Sequence, residues 1–279
     1  YGLTCSPEGR PVAIAVHEGN TTDQQTLPGA VHAVSERSGI EHVVVVGDRG
    51  MITQAHAKAL TEQGIEFITA LKAVQVRALV SSGDLQLSLF DQTNLAEITS
   101  ELYPAERLVV CRNPAVAAER ARKRESMLTA TETELDKVTA MVSGPRGTLR
   151  NATAGKIGER AGKVSNKYKM AKHFELQISD GAFSYQRKTE QIHTEAALDG
   201  FYVIRSTSQH PTLTSQATVR AYKQLKMAER AFQTIKDTLE IRPIRHHLED
   251  RVRAHAFLCM LAYYVSFELR QRLTPLLFD

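Results

Sequence analysis

Four consecutive valines, Val43 to Val46, run straight into Gly47-Asp48-Arg49-Gly50. β-branched side chains favour extended backbone, and a run without polar alternation has both faces buried, as central parallel strands do. Such a strand needs covering layers above and below, which commits the chain to a sheet flanked by helices. The neighbouring segments agree. Tyr1 to Cys5 and Pro11 to His17 are short β-prone runs around the turn composition Ser6-Pro7-Glu8-Gly9, and they predict an antiparallel hairpin. Gly19-Asn20-Thr21-Thr22-Asp23 predicts a loop, with Thr22 and Gln25 spaced as a capping box for a following helix. A helix is expected from about Ile52 to Gln63, ended by Gly64, and a further strand over Ile65 to Ala70. The predicted class is α/β: a mixed sheet with flanking helices.

From about Leu71 to Thr207 the pattern changes. Short β-prone pieces (Arg107 to Cys111, Phe174 to Ile178, Phe201 to Ile204) surround a charged helix from Ala115 to about Val142 and a Gly-rich basic stretch. Helical periodicity resumes near Leu213, breaks at Pro243 and returns as an apolar helix from about Leu248 to Leu273. The organisation expected is a first core segment over 1–70, an inserted β-rich subdomain over 71–207 and a helical remainder over 208–279. At 279 residues and 42% hydrophobic content, the chain is long enough for one large domain or two smaller ones and is not a disordered tail. Three widely spaced cysteines make no zinc pair or disulfide framework and fit a reducing compartment. The longest apolar run, Ala256 to Phe267 with Ser266 inside it, is too short for a membrane span.

Charge is unevenly placed. Between Gly144 and His173 stand eight cations (Arg146, Arg150, Lys156, Arg160, Lys163, Lys167, Lys169, Lys172) against the single acid Glu159, in a chain whose net charge is only +4. That density suits a polyanion, and it equally suits a solvated basic loop.

Two acids stand out. Asp48 sits at the carboxyl end of the valine strand, the edge where α/β sheets gather functional groups; the plainer alternative is a cap for the next helix. On the helix expected from Ala217 to Leu239, Tyr222, Glu229 and Lys236 recur every seven residues and so share one stripe. Leu225, Ala228, Phe232, Ile235 and Leu239 form an overlapping apolar stripe, which places Glu229 at the border of a buried face. A carboxylate there needs a partner, either a metal ion or a cation such as Lys226.

Taken together, Gly47-Asp48-Arg49-Gly50-Met51 after a valine strand, the Tyr222/Glu229/Lys236 spacing and the loop Glu18-Gly19-Asn20-Thr21-Thr22-Asp23 resemble the DDE transposases of bacterial insertion sequences. Lys169 to Phe174, Asp199 to Arg205 and Leu239 to Ile244 are similar to the branch with a β-rich insertion before the Glu helix. The likeness spans nearly the whole chain, with Leu225 standing where Arg is usual in that family.

The resemblance implies an RNase H-like core whose carboxylates hold two divalent cations, Mg2+ or Mn2+, with Asp48 as the second acid and Glu229 as the third. Two such ions clamp the attacking and leaving oxygens of phosphoryl transfer. It implies DNA contacts from Tyr222, Lys236, Arg49 and the insertion lysines Lys156, Lys163, Lys167 and Lys172, with Lys226 or Arg230 replacing the Arg that Leu225 displaces. DNA element ends and target are the implied partners, with a homodimer on paired ends, no membrane, and a location at the bacterial nucleoid in the cytoplasm. In the family the first Asp precedes the hairpin with which this sequence opens, and Asp23 is misplaced for it. The expectation is a fragment that by itself does not cleave DNA. A non-catalytic DNA-binding remnant and a nuclease unrelated to transposition are the alternatives. His246, His247 and His255 lack zinc-site spacing, and no GxSxG, P-loop or GxGxxG occurs.

Overall fold

The computed structural model describes residues 1–6, 8–21, 23–38, 42–144, 147–149 and 151–276, leaving out also the side chains of 23–25, 35, 37 and 38. The capping box expected of Thr22 and Gln25 lies outside the described residues, as do Arg146 and Arg150. The chain forms two compact units, one of Tyr1–Gln86, Leu95–Val110 and Tyr202–Asp279, the other of Leu87–Asn94 and Cys111–Phe201. Against the expected division at 71 and 207, residues 71–86, 95–110 and 202–207 group with the first unit.

In the first unit, β1 (Gly2–Cys5) and β2 (Pro11–Ala15) pair antiparallel, Leu3 opposite Ile14. Gly9 turns the hairpin at φ 89°, a left-handed conformation that costs glycine little, and donates its N–H to the Ser6 carbonyl at 2.9 Å. After α1 (Asp23–Ser38) the valine run becomes β3 (Val44–Val46), followed by α2 (Gln54–Glu62), β4 (Glu66–Ala70) and α3 (Ala73–Ser81). Two more strands, β5 (Leu95–Ile98) and β6 (Arg107–Arg112), complete a five-stranded sheet with the later β9 (Phe201–Ser206), in the order β3-β4-β9-β6-β5. β3 and β4 run parallel while β4 and β9 run antiparallel, so the sheet is mixed, as expected.

One expectation needs correction: the valine strand is not central. Among the described residues it forms an edge of this sheet, and β9 occupies the middle. Continuous apolar character records burial on two faces, and here helices supply it even at an edge. Val45 joins Ile52, Ala57, Leu60 and Phe67 in a core under α2, and the other side meets α7 (Ser215–Gln233). After a π turn over Thr234–Thr238, the chain ends in α8 (Glu249–Leu273). Ala231, Ile235, Ile241, Ala256, Cys259 and Tyr263 bury the apolar face of the hairpin through Leu3, Ile14 and Val16.

The second unit is built on α4 (Pro114–Ser143), with Pro114 at its first turn and Asn113 capping the Val116 N–H at 3.2 Å. Its buried residues Leu128, Thr131, Leu135, Val138 and Val142 alternate steps of three and four, the spacing of one helical face. They pack on α5 (Ala154–Lys167) and on the hairpin of β7 (Phe174–Ser179) and β8 (Ala182–Arg187); α6 (Thr189–Ala196) follows. This corrects one expectation: the second unit is mainly helical rather than β-rich. Within the Gly-rich basic stretch, Ala154–Lys167 forms a helix. Each mid-helix glycine costs about 1 kcal/mol relative to alanine. Burial of Ile157 and Ala161 against α4 offsets that, and Asp180 accepts the Ala154 N–H at 2.7 Å to cap the helix from the β7–β8 turn.

Candidate active site

The strand β3 delivers Asp48 through a glycine that nothing larger replaces. A Cβ on the buried Gly47 would lie 2.8 Å from the packed Ile52 side chain, while its N–H still extends the ladder to the Ile68 carbonyl at 3.0 Å. Beyond it the chain turns tightly. Asp48 Oδ1 accepts the N–H groups of Gly50 at 2.8 Å and Met51 at 2.6 Å. Thr53, not Asp48, caps α2, and His56 Nδ1 lies 3.2 Å from the Met51 carbonyl. Asp48 therefore shapes the turn while its carboxylate stays exposed.

The start of α2 is fixed from the middle of the sheet. Arg205, buried in β9, donates to Gln54 Oε1 at 2.7 Å and to Glu106 Oε2 at 2.6 Å, and it stacks between the rings of Phe67 and Tyr103. The start of α7 is fixed from the sheet's far edge. Arg107 holds Glu97 at 3.0 and 2.8 Å and the Leu213 carbonyl at 2.5 Å, while Ser215 Oγ donates to Glu97 at 2.5 Å.

Between the β3 turn, the hairpin and α7 lies a cleft of about 860 Å³ within the first unit. Asp48 and Glu229 both line it, with Leu225, Ala228 and Phe232 along one wall. Tyr222 belongs to the same neighbourhood. Burial pushes its phenol up; the Arg49 charge opposes that shift, and Asp48 and Glu229 add to it. Asp48, Arg49, Tyr222 and Glu229 are thus within electrostatic reach of one another, although 174 residues separate Asp48 from Tyr222 in the sequence.

Glu229 corrects its expected setting. It is exposed in the cleft rather than bordering a buried face, and no ion pair to Lys226 forms among the described residues. The apolar stripe beside it faces an open cleft at Leu225, Ala228 and Phe232 and becomes fully buried only at Ala231 and Ile235. Lys236 departs further. It lies in the π turn, where bonding from i to i+5 takes an extra residue per turn, so the seven-residue stripe slips before reaching it. Lys226 and Arg230 are exposed on α7 and lie outside the cleft lining.

The donor set can be tested against a divalent cation. Two exposed carboxylates in one cleft are hard oxygen donors of the kind that Mg2+ takes, the remaining positions going to water and phosphate oxygens. No group of three or more His, Cys, Asp or Glu able to hold a metal occurs among the described residues. An ion in this cleft would find Asp48 and Glu229 as its carboxylates among the described residues and would need non-protein oxygens to complete its shell.

The insertion cations form a separate surface in the second unit. Lys156, Arg160, Lys163 and Lys167 fall at steps of four, three and four on α5, one face of the helix. Lys163 pairs with Glu159 at 2.5 Å, Lys172 with Glu195 at 2.7 Å, and Lys167 lies 5.1 Å over the Tyr168 ring. Lys156 and Arg160 have no ion pair among the described residues. Arg160, Lys163 and Lys167 line a groove of about 160 Å³ with Lys137 and Glu134 of α4. Arg160 was counted in the basic stretch but not among the expected DNA contacts, and Lys137 was not singled out by sequence; the four-three-four spacing marks Arg160 once the helix is known, whereas Lys137 depends on tertiary packing.

Comparison with known proteins gives one finding. A family model described as the transposase DDE domain matches residues 3–265, while no curated protein and no solved structure matches.

Proposed function

The chain belongs to the transposase DDE domain family, and we propose that its cleft cuts and joins DNA in the transposition of a bacterial insertion sequence. Membership carries a transposase function in general and an RNase H-like mixed sheet. The observation that supports the finer reading is the convergence of Asp48 and Glu229, distant in sequence, on one cleft beside Arg49 and Tyr222. A divalent cation held there supplies charge stabilisation to the oxygens of a phosphodiester under attack. The chain's own groups bind and orient. Tyr222, its phenol pushed up, stays a hydrogen-bond donor at neutral pH, suited to a phosphate oxygen. Arg49, Lys226 and Arg230 offer exposed cations near the same helix and turn, and the α5 stripe offers a second, sequence-independent phosphate surface.

Only two carboxylates line the cleft among the described residues, one fewer than the family pattern uses. The test is a strand-transfer assay with Asp48→Asn and Glu229→Gln beside wild type. The expected result is loss of joining by at least ~100-fold in each variant with DNA binding retained, in line with removal of a group on which transition-state charge depends. Activity surviving in either variant removes that residue from the site. A wild-type protein that binds DNA and never joins it supports the non-catalytic alternative.

A further inference from the structure

α7 has two faces of different chemistry. Leu225, Ala228, Glu229 and Phe232 line the cleft. At 3.6 residues per turn, Arg220, Lys223, Lys226 and Arg230 point roughly 110–170° away from that direction, following one another at steps of three, three and four. All four are exposed. Arg220 and Lys223 line a groove of about 370 Å³ with Gln216, Val219, Gln224 and Met227, and this groove shares no lining residue with the cleft.

These cations have no acid to answer them. Other helices set a carboxylate one turn from a cation: Glu62 from Lys58 in α2, Glu134 from Lys137 in α4, Glu159 from Lys163 in α5 and Glu249 from Arg253 in α8. The single acid of α7, Glu229, lines the cleft, and none of the four cations forms an ion pair among the described residues. Like charges three and four residues apart repel and weaken a helix, so an anionic partner relieves the stripe. From Arg220 to Arg230 the helix rises about 15 Å. Duplex DNA presents about nine phosphates on its two strands over that length. Gln216 and Gln224 add amide donors suited to phosphate oxygens, and no aromatic side chain, the usual anchor of a protein partner, lines the groove.

We propose that Arg220, Lys223, Lys226 and Arg230 form a phosphate track on the outer face of α7 that holds a segment of duplex DNA separate from the strand in the cleft. The body of the helix, about 10 Å across, stands between the two. The track rests on the reading of this chain as a DNA-binding transposase and extends it: α7 divides two DNA segments, one at the carboxylates and one behind them.

Two measurements on the full chain test it. In fluorescence anisotropy against salt with a duplex of arbitrary sequence, Arg220→Gln, Lys223→Gln, Lys226→Gln and Arg230→Gln together flatten the slope of log affinity against log salt by up to ~3.6, at roughly 0.9 per phosphate. Exchanging Arg for Lys and Lys for Arg at the same positions leaves the slope at its wild-type value. Glutamine keeps helix propensity and all four sites are exposed, so the fold stays intact. In photo-crosslinking to the same duplex, a benzophenone side chain in place of Gln224 marks the track and one in place of Leu225 marks the cleft. The four glutamine changes remove the first crosslink and keep the second. An unchanged slope, or a crosslink at position 224 that survives those changes, overturns the proposal and leaves the stripe to solvent or to an acidic protein. Loss of both crosslinks together also overturns it, because one segment then occupies both sides. A wild-type chain that crosslinks at position 224 and not at 225 upholds the track and instead removes DNA from the cleft.

Discussion

Asp48 joins a charge to a turn, and the two can be separated by mutation. Its Oδ1 takes two backbone N–H groups, from Gly50 and Met51. An asparagine keeps that acceptor and loses the charge; an alanine loses both. Asp48→Ala should therefore cost about 1 kcal/mol of folding stability from unmade hydrogen bonds at a partly solvated turn, and Asp48→Asn only a few tenths. Urea denaturation of the two variants checks this, and equal losses would mean that the turn does not depend on the side chain. Catalytic tests at this position are for that reason cleaner with Asn. The valine run and the glycine after it made the position of Asp48 legible in the sequence, because local sterics alone put an acid at a strand end. The surroundings of Glu229 were not legible in the same way. Periodicity assigns faces to a helix, but whether a face meets core or an open cleft depends on strands more than a hundred residues away.

At the scale of elements, α7 is held by a short polar network as well as by packing. Hydrogen bonds from Arg107 and Ser215 hold the Glu97 carboxyl down at about 2, which ties the first turn of α7 to β5 and β6. The folded-state value is the lower one, so the network contributes fully above the ordinary carboxylate range, and its contribution is lost as pH falls from ~4.3 toward 2. Glu97 is 42% exposed, and solvent screening limits its worth to about 1 kcal/mol. Glu97→Gln should lower stability at pH 7 by about that amount and leave it close to wild type near pH 2. Thermal melts at the two pH values decide the matter; a gap that does not narrow in acid would assign the loss to packing. Neither this network nor the Asp180 cap of α5 is visible in sequence, since both join residues that share no local pattern. The helix Ala154–Lys167 within the basic stretch is hidden in sequence for a related reason. Its glycines argue against a helix locally, and the packing that overrides them comes from α4.

For the whole molecule, the layered architecture was legible because strand and helix periods survive in short windows, whereas sheet order was not. The strands that complete the sheet, β5, β6 and β9, are separated in sequence by most of the second unit, and their pairing leaves little local trace. Charge shows the same separation of scales. A net +4 for the chain conceals a cationic face on α5, and the ion pairs decide which members of that face are free to act. Lys163 and Lys172 are engaged by Glu159 and Glu195, while Lys156 and Arg160 form no ion pair among the described residues, Arg160 feeling Glu134 only at longer range, so the second pair should carry more of the phosphate contact. Each phosphate neutralised on duplex DNA contributes roughly −0.9 to the slope of log affinity against log salt. Replacing Lys156 and Arg160 together by Glu should weaken binding at low salt and flatten that slope by up to ~1.8, whereas replacing Lys163 and Lys172 should flatten it by less. Fluorescence anisotropy on one duplex from low to moderate salt measures both slopes. An unchanged slope in the Lys156/Arg160 variant would show that α5 is a solvated face, and would leave α7 and the β3 turn to carry the DNA contact.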